Sequence, residues 1–164
     1  MQRTLSVLLL AAGLAVPAAE AQQERASVPT KYTWNLADLY TNEAAWRQAK
    51  EKFVASLPTI DASKGKLGTS SVELLKGLNT LYGLQKELYR LYGYASLVAD
   101  QDTRVASAQA MRQEMAQVAT NFSARAAFVE PEILRMDKAT TEGWLKAEPG
   151  LAIYRHFIED VLRR

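Results

Sequence analysis

Residues 70–103, SSVELLKGLNTLYGLQKELYRLYGYASLVADQDT, decide the fold class. Ser70 and Glu73 form a capping-box pattern, in which each side chain bonds a free backbone amide at a helix start. Apolar residues then recur every three or four positions, at Leu74, Leu81, Leu84, Leu88, Leu91, Ala95 and Val98. A second stripe on the same helix comprises Tyr82, Gln85, Tyr89, Tyr92 and Ser96. A helix with two non-polar faces is sandwiched between neighbours, which predicts the central helix of a bundle, ending near residues 99–103.

A second long helix follows directly. Asp102 or Thr103 is the predicted N-cap, and the helix is expected to run until Pro131, because the residue before a proline resists helical geometry. Its inward face is predicted to carry Ala108, Met111, Met115, Val118, Phe122, Ala126 and Val129. Two long helices joined by a tight acidic turn predict an antiparallel helical hairpin.

Shorter helices flank the predicted hairpin. Upstream, Thr41 or Asn42 caps a helix that Pro58 ends, and residues 59–69 are expected to form a loop. The inward face of that helix is Trp46, Ala49, Phe53 and Leu57. Downstream, residues 131–137 suit a short helix with proline in its first turn.

Two more helices are predicted near the end of the sequence. Thr140 or Thr141 is the expected cap of a helix carrying Trp144 and Leu145, which Pro149–Gly150 ends. The last helix has an apolar stripe at Leu151, Tyr154, Ile158, Val161 and Leu162. No segment alternates apolar and polar residues with β-branched enrichment, so the predicted fold class is all-α.

The first 30 residues are predicted to lie outside the fold. Residues 1–21 have an early cation, an apolar run too short for a membrane span of about 20 residues, and a small-residue exit at Ala19 and Ala21. This layout predicts a signal peptide cleaved after Ala21, and hence an exported protein, periplasmic or secreted. Residues 22–30 are predicted to be a flexible lead-in. The folded domain, residues 31–164, begins with KYTWNLADLY (31–40), whose Trp34, Leu36 and Leu39 are expected to anchor this end on the bundle.

Charge and cysteine content argue against nucleic-acid and membrane partners and against disulfide bonds. The chain has 20 Lys and Arg against 18 Asp and Glu, a formal net charge of +2. Spread along the chain, this charge predicts no nucleic-acid partner and, once the signal peptide is removed, no membrane partner. Because the sequence contains no cysteine, no disulfide stabilises the fold despite the oxidising destination.

The residues that carry chemistry are few. His156 is the only histidine, and without cysteine it leaves only carboxylates as possible zinc ligands. Asp100 and Asp102 resemble the start of a calcium loop but lack its later glycine and glutamate, so capping is preferred. Tyr82, Tyr89, Tyr92 and Tyr94 are interpreted as core residues rather than a ligand groove. The site predictions are therefore catalytic none, cofactor-binding none and metal none, and the glycosylation triplet at residues 121–123 is attributed to chance.

Several segments, in order, resemble the N-terminal region of the oligoendopeptidase F family, which are thimet-like zinc peptidases. They are YTWNLADLY (32–40), NEAAW (42–46), SSVELLKGLNTLY (70–82), LYRLYGYASLVADQDT (88–103), FVEPEIL (128–134) and LAIYRHFIEDVLRR (151–164). The resemblance implies one lobe of a larger helical peptidase that walls a cleft for short peptides. It places zinc on a His-Glu-x-x-His helix of a catalytic domain that these residues do not include. Many relatives are cytoplasmic, so the signal peptide is a departure.

Three hypotheses follow for this chain. The first is the N-terminal lobe of an exported zinc oligoendopeptidase, truncated and inactive alone, with the missing catalytic peptidase domain and short peptides as partners. The second is a self-sufficient exported helical binding or adaptor module. The third, a hairpin for homo-oligomers, ranks last because the leucine stripe mixed with alanine and tyrosine is not a regular coiled-coil seam.

Overall fold

The structure is a computed structural model that describes residues 27–164, and the chain divides into two units, residues 1–33 and 34–164. In the described part of the first unit, Thr30–Tyr32 form one 3₁₀ turn, and the Thr33 amide and hydroxyl both donate to the Thr30 carbonyl. The predicted signal peptide, residues 1–21, and residues 22–26 of the predicted lead-in lie outside the described residues.

The second unit is organised around a helical hairpin. Helix α2 spans Ser71–Gln101, and Ser70 Oγ accepts the Glu73 amide at 3.2 Å, so the helix starts at the predicted cap. Helix α3 spans Ala106–Ala126 and packs along α2. Next to the turn, Gln109 Nε2 donates to the Ala99 carbonyl at 3.1 Å. The two helices therefore run antiparallel, which confirms the predicted hairpin.

The predicted cap of α3 is wrong. Helix α3 begins after Val105, whose side chain makes no capping bond, rather than at Asp102 or Thr103. Asp102 Oδ1 instead accepts the backbone amide of Arg104 at 3.0 Å and its Nε at 2.9 Å. Asp and Asn side chains readily accept a hydrogen bond from the amide two residues ahead. The Asp102 carboxylate is therefore already engaged within the turn and does not cap α3.

Helix α1 spans Glu43–Ser56, and its cap is Asn42, whose Oδ1 accepts the Ala45 amide at 2.9 Å. The α-helix ends before Pro58 as predicted, but Leu57–Ser63 continue as a 3₁₀-helix, so the loop predicted from residue 59 is wrong there. Leu57 and Ile60 are both buried. A 3₁₀-helix places residues three apart on the same side. This geometry buries Leu57 and Ile60 together, which explains why the segment is helical rather than a loop.

The end of α3 also differs from the prediction. The helix stops at Ala126, and helix α4, Val129–Leu134, takes Pro131 into its first turn. Proline fits there because the amides of a first turn have no partner within the helix. Helix α4 starts two residues before Pro131, and α3 ends at Ala126, so the two helices are separate.

Helix α5 spans Lys138–Ala147, and its cap is Asp137 rather than Thr140 or Thr141. Asp137 Oδ2 accepts both the amide and the hydroxyl of Thr140, at 2.8 and 2.9 Å. Thr141 is buried and donates its hydroxyl to the Asp137 carbonyl at 2.8 Å. A carboxylate outcompetes a hydroxyl as the acceptor for amides at a helix start, which explains the shift.

The chain after α5 breaks at the predicted dipeptide. Pro149–Tyr154 form a 3₁₀-helix, and helix α6 follows at Arg155–Val161. The last predicted helix is therefore 3₁₀ in its first half. None of the helices in residues 27–164 is both long enough and apolar enough to cross a membrane.

Two hydrophobic cores share α2. The first core lies among α1, α2 and α3 and consists of Trp46, Phe53, Leu57, Ile60, Leu88, Leu91, Tyr94, Ala95, Met111, Met115 and Phe122. The second core lies among the start of α2 and α4 to α6 and consists of Leu67, Leu74, Leu78, Val129, Ile133, Leu145, Leu151, Tyr154, Ile158 and Val161. Leu81 and Phe128 pack against both. The all-α fold and the two-faced central helix are confirmed.

The opening aromatic segment is only partly an anchor. Leu36 and Leu39 pack on the first core, and Arg90 Nη2 donates to the Leu39 carbonyl at 2.7 Å. Tyr40 meets the ring of Tyr94 edge-on at 5.5 Å. Trp34, however, is 56% exposed, so its predicted role as an anchor is wrong. Anchoring falls to Leu36, Leu39 and Tyr40, which pack against the first core.

Candidate functional site

The ionisable residues singled out in the sequence do not form a site. His156 is exposed on α6. Asp100 pairs with Arg112 at 3.3 Å, and Asp102 pairs with Arg104 at 2.8 Å, so both carboxylates of the acidic turn face arginines. Within residues 27–164, no three His, Cys, Asp or Glu side chains lie close enough to hold a metal ion. The described residues therefore do not fit a zinc site.

The four tyrosines of α2 have different surroundings. Tyr94 is buried and stacks on Trp46 at 6.3 Å, and Tyr92 packs partly buried on the first core. Tyr82 packs partly buried on the second core. Tyr89 is 64% exposed, so its predicted core position is wrong. The face of α2 that the second core covers at Tyr82 has lost that cover two turns later.

A groove of about 500 Å³ lies beside Tyr82, where α2, α3, α4 and α6 meet. We call it the junction groove, because it lies between the two cores. Its lining is Leu81, Tyr82, Gln85, Phe122, Ser123, Ala126, Ala127, Val129, Glu130, Pro131 and Phe157. Ligand pockets in proteins have volumes of about 300–1,000 Å³ and mostly apolar linings with few polar groups, and this groove meets both conditions.

One wall of the junction groove is aromatic and held in place. The Tyr82 ring stacks on Tyr154 at 5.1 Å and meets Phe157 edge-on at 5.7 Å. The Tyr154 hydroxyl donates to Asn79 Oδ1 at 2.7 Å, which fixes the ring behind Tyr82. Burial raises the pKa of Tyr82, and the nearby Tyr154 and Glu130 raise it further. The phenol of Tyr82 is therefore neutral at physiological pH, and its ring is a fixed surface.

The part of the lining that α3 supplies combines the buried Phe122 with small side chains. Ser123 and Ala126 come from the last turn of α3, and Ala127 follows it. Because α3 ends at Ala126, no further turn of that helix fills the space in front of Tyr82 and Phe157. Sequence reasoning missed the groove because it extended α3 to Pro131. No local signal marked the end at Ala126, because the proline preference predicts a helix that starts at Pro131, whereas α4 starts at Val129.

The polar side chains of the junction groove are Gln85, Ser123 and Glu130. Gln85 Nε2 donates to the Tyr89 hydroxyl at 3.1 Å, on α2. Glu130 Oε2 pairs with Arg164 Nη1 at 2.9 Å. Glu130 is the one ionisable carboxylate of the lining, and its charge is matched by that arginine. The groove is thus apolar, near neutral and bordered by amide and hydroxyl groups.

A second groove, of about 530 Å³, lies between α1 and α3. Lys50 and Glu114 both line it and form an ion pair with each other. Lys50 also lies over the ring of Trp46, 5.5 Å from its centroid. These contacts join α1 to α3, so the groove is interpreted as a helix–helix seam.

Comparisons with known sequences all point in one direction. The family model described as Oligopeptidase F, which covers the family's N-terminal region, matches residues 132–164. "Oligoendopeptidase F, chromosomal" of Lactococcus lactis subsp. cremoris is 31% identical over 139 residues, which are 84% of this chain and 23% of that protein. "Oligopeptidase PepF" of Bacillus subtilis (strain 168) is 27% identical over 140 residues, 85% of this chain and 21% of that protein. This chain thus spans about a fifth of their length.

Solved structures share the fold. A Chlamydophila abortus protein, provisionally assigned as a peptidase, superposes with a TM-score of 0.75 at 28% identity, over 85% of this chain and 24% of that one. Oligoendopeptidase-F from Enterococcus faecium gives a TM-score of 0.68 at 24% identity, over 74% of this chain and 24% of that one. The sequence likeness and the shared helical architecture agree: over about 85% of its length this chain is similar to the N-terminal region of the oligoendopeptidase F family.

Proposed function

We propose that this chain is the N-terminal helical lobe of an exported zinc oligoendopeptidase that hydrolyses short peptides. In this proposal the lobe walls the substrate cleft and is not catalytic alone. The observation that carries it is the similarity, over 84–85% of this chain, to proteins named oligopeptidase or oligoendopeptidase. The zinc and the catalytic groups belong to a further domain, since the residues described here do not fit a metal site.

The chemistry of the described residues supports a binding role. Peptide hydrolysis needs an activated water or a nucleophile together with a group that moves protons. His156 is exposed on the last helix, and the acidic turn is engaged with arginines. The junction groove, whose one carboxylate is paired with Arg164, and the exposed Tyr89 offer contact surface. No catalytic step is assigned to this chain.

A hydrolysis assay tests the catalytic part of the proposal. The purified 164-residue chain, supplied with zinc, should leave an internally quenched octapeptide intact. The reading frame beyond the codon for Arg164 should encode a His-Glu-x-x-His motif, and the longer product should cleave the same peptide. Chelator-sensitive hydrolysis that copurifies with the 164-residue chain through two columns would contradict the proposal that the lobe is not catalytic alone. A stop codon with no such motif downstream would favour the alternative, a self-sufficient binding or adaptor module.

Export has its own test. Expressed with residues 1–21 in a bacterial host, the protein should be recovered outside the cytoplasm with Gln22 as its first residue, by mass spectrometry. Ala21→Arg places a large cation at the predicted cleavage site and should leave the precursor uncleaved. Glu20→Gln, one residue earlier, is the matched control and should be processed normally. Recovery of unprocessed wild-type protein in the cytoplasm would contradict the exported location.

A further inference from the structure

We propose that the junction groove is a side-chain subsite, which takes one large, uncharged apolar or aromatic side chain of an extended peptide. Gln85 and Ser123, the two uncharged polar side chains of the lining, bond the backbone of that peptide. This inference rests on the proposed function, because it names the part of the lobe that meets the substrate.

The aromatic wall favours an aromatic or bulky aliphatic occupant. Tyr82 and Phe157 meet edge-on at 5.7 Å, and Tyr154 backs Tyr82 at 5.1 Å, so the wall exists without a ligand. Rings in this arrangement add edge-to-face or offset-stacked contacts to a third ring, beyond the gain from burying apolar surface. Ser123 and Ala126 on the other side leave the space that such a ring would fill.

The electrostatics disfavour a charged occupant. Glu130 is the one carboxylate in the lining, and Arg164 Nη1 lies 2.9 Å from it. A charged side chain entering the groove would lose its water and find that the nearest charge is already paired. Because burying an unpaired charge is costly, the groove should discriminate strongly against aspartate at the same peptide position.

The polar side chains of the lining suit the backbone of a peptide. A glutamine side chain has two N–H donors and a carbonyl acceptor, and in Gln85 one donor goes to the Tyr89 hydroxyl at 3.1 Å. Ser123 lies in the lining on α3 and supplies a hydroxyl that either donates or accepts. An extended peptide presents one N–H and one C=O per residue, which these two side chains match.

The size of the groove points to a peptide rather than a folded protein. Stable folded partners bury about 800 Å² each, through about 20–30 residues a side. The junction groove has a volume of about 500 Å³ and eleven lining residues, which suits a small ligand. A short peptide inserting one side chain needs no more than this.

Binding of labelled peptides to the 164-residue chain tests the inference. The probe is a fluorescein-labelled octapeptide of alanine, glycine and serine with one central phenylalanine, followed by fluorescence anisotropy. Versions with leucine, alanine or aspartate at the centre complete the set. We expect phenylalanine and leucine to bind at least about tenfold more tightly than alanine, as expected for burying a large apolar side chain, and aspartate to bind weakest. Equal affinities across the set, or no binding of the phenylalanine peptide, would overturn the subsite.

A filled-groove variant gives the second readout. Ser123→Phe puts a ring into the small wall, and it should weaken binding of the phenylalanine peptide about tenfold or more. Ala124→Phe, the next residue on the same helix and outside the lining, is the matched control and should bind like wild type. Circular dichroism and thermal melts check that both variants fold, and the peptide series on wild-type protein decides if Ser123→Phe does not. Unchanged binding by a folded Ser123→Phe variant would contradict the subsite, whereas absence of hydrolysis by the longer protein would contradict the proposed function.

Discussion

Two glycines of α2 should respond oppositely to the same substitution. Gly77 and Gly83 both lie inside the helix, where replacing glycine by alanine gains about 1 kcal/mol of helix propensity. A Cβ at Gly83 would meet nothing within 4 Å. A Cβ at Gly77 would overlap Leu67 Cδ2 and lie 3.4 Å from Cβ and Oγ of Ser63. Gly83→Ala should therefore stabilise the chain, and Gly77→Ala should not.

The magnitude follows from how firmly Leu67 is held. Leu67 is 1% exposed and belongs to the second core, so its end cannot move into solvent. Forcing an extra methyl group into a packed core costs about 1–3 kcal/mol. After the propensity gain of about 1 kcal/mol, Gly77→Ala should be destabilising by about 0–2 kcal/mol. The free energies of unfolding of the two variants should thus differ by about 1–3 kcal/mol.

Urea denaturation of the 164-residue chain, followed by tryptophan fluorescence, measures both variants. Equal slopes with a higher midpoint for Gly83→Ala and an equal or lower midpoint for Gly77→Ala would support the packing argument. Shortening Leu67 to alanine should remove the overlap, so Gly77→Ala in that background should become stabilising. If Gly77→Ala raises the midpoint as much as Gly83→Ala in the wild-type background, the packing of α2 against Leu67 is not as described.

Three further predictions concern buried and capping hydrogen bonds. Trp46→Phe removes the hydrogen bond from Nε1 to the Leu91 carbonyl at 2.9 Å, and urea denaturation should show that the free energy of unfolding falls by about 1–3 kcal/mol. Glu132→Gln replaces the carboxylate that accepts the Gly65 amide at 2.5 Å by a neutral amide, which weakens this hydrogen bond. Hydrogen exchange at Gly65 should therefore accelerate, and the melting temperature should fall. The amide of Thr140 holds the pKa of Asp137 below its ordinary value of 3.8, so its stabilisation is complete above that pH and is lost as pH falls through the lowered pKa. Asp137→Ala should therefore lower the melting temperature at pH 7, and the gap from wild type should begin to narrow below pH 3.8 and close as pH falls through the lowered pKa; a gap that stays constant would contradict the cap.

Local patterns were enough to predict most helices. The leucine spacing of α2, the cap at Ser70 and the break before Pro58 depend on residues within one or two turns, and the structure confirms each. The predicted cap of α5 failed because Asp137 was a stronger acceptor than the threonines after it, and that of α3 failed because Asp102 bonds the Arg104 amide ahead of the helix. Those errors moved helix starts by a few residues and left the fold class unchanged.

Surface positions were harder to predict because helical periodicity identifies a shared face but not what covers it. Tyr89 shares its face with Tyr82, yet α6 covers only the latter, through Phe157. Trp34 is as apolar as Leu36, but only Leu36 lies against the first core. Coverage depends on where distant elements pack, which no window of sequence contains.

The junction groove was unpredictable for the same reason in a stronger form. Its aromatic wall joins Tyr82 to Phe157, which are separated by most of the folded chain. Its small wall, Ser123 and Ala126, is unremarkable within an amphipathic helix and gains meaning only opposite those rings. A site made of ordinary apolar side chains has no sequence motif, whereas a metal or phosphate site is recognisable in the sequence by its residue types.

The position of the groove links peptide binding to the stability of the lobe. Leu81 and Phe128 are packed against both cores, and the groove opens beside Leu81 where the packing is incomplete. A space left at such a junction forfeits the contacts that its lining would otherwise make. In the proposed subsite, an apolar side chain between Tyr82 and Ser123 would restore those contacts and lie beside both α3 and α6. Since a ligand that binds only the folded state stabilises it by RT ln(1 + [L]/Kd), a bound peptide should raise the free energy of unfolding of the lobe. The same reasoning applies to the Ser123→Phe variant. Its ring would occupy the groove and stabilise the junction permanently, so the peptide side chain would have no space to fill.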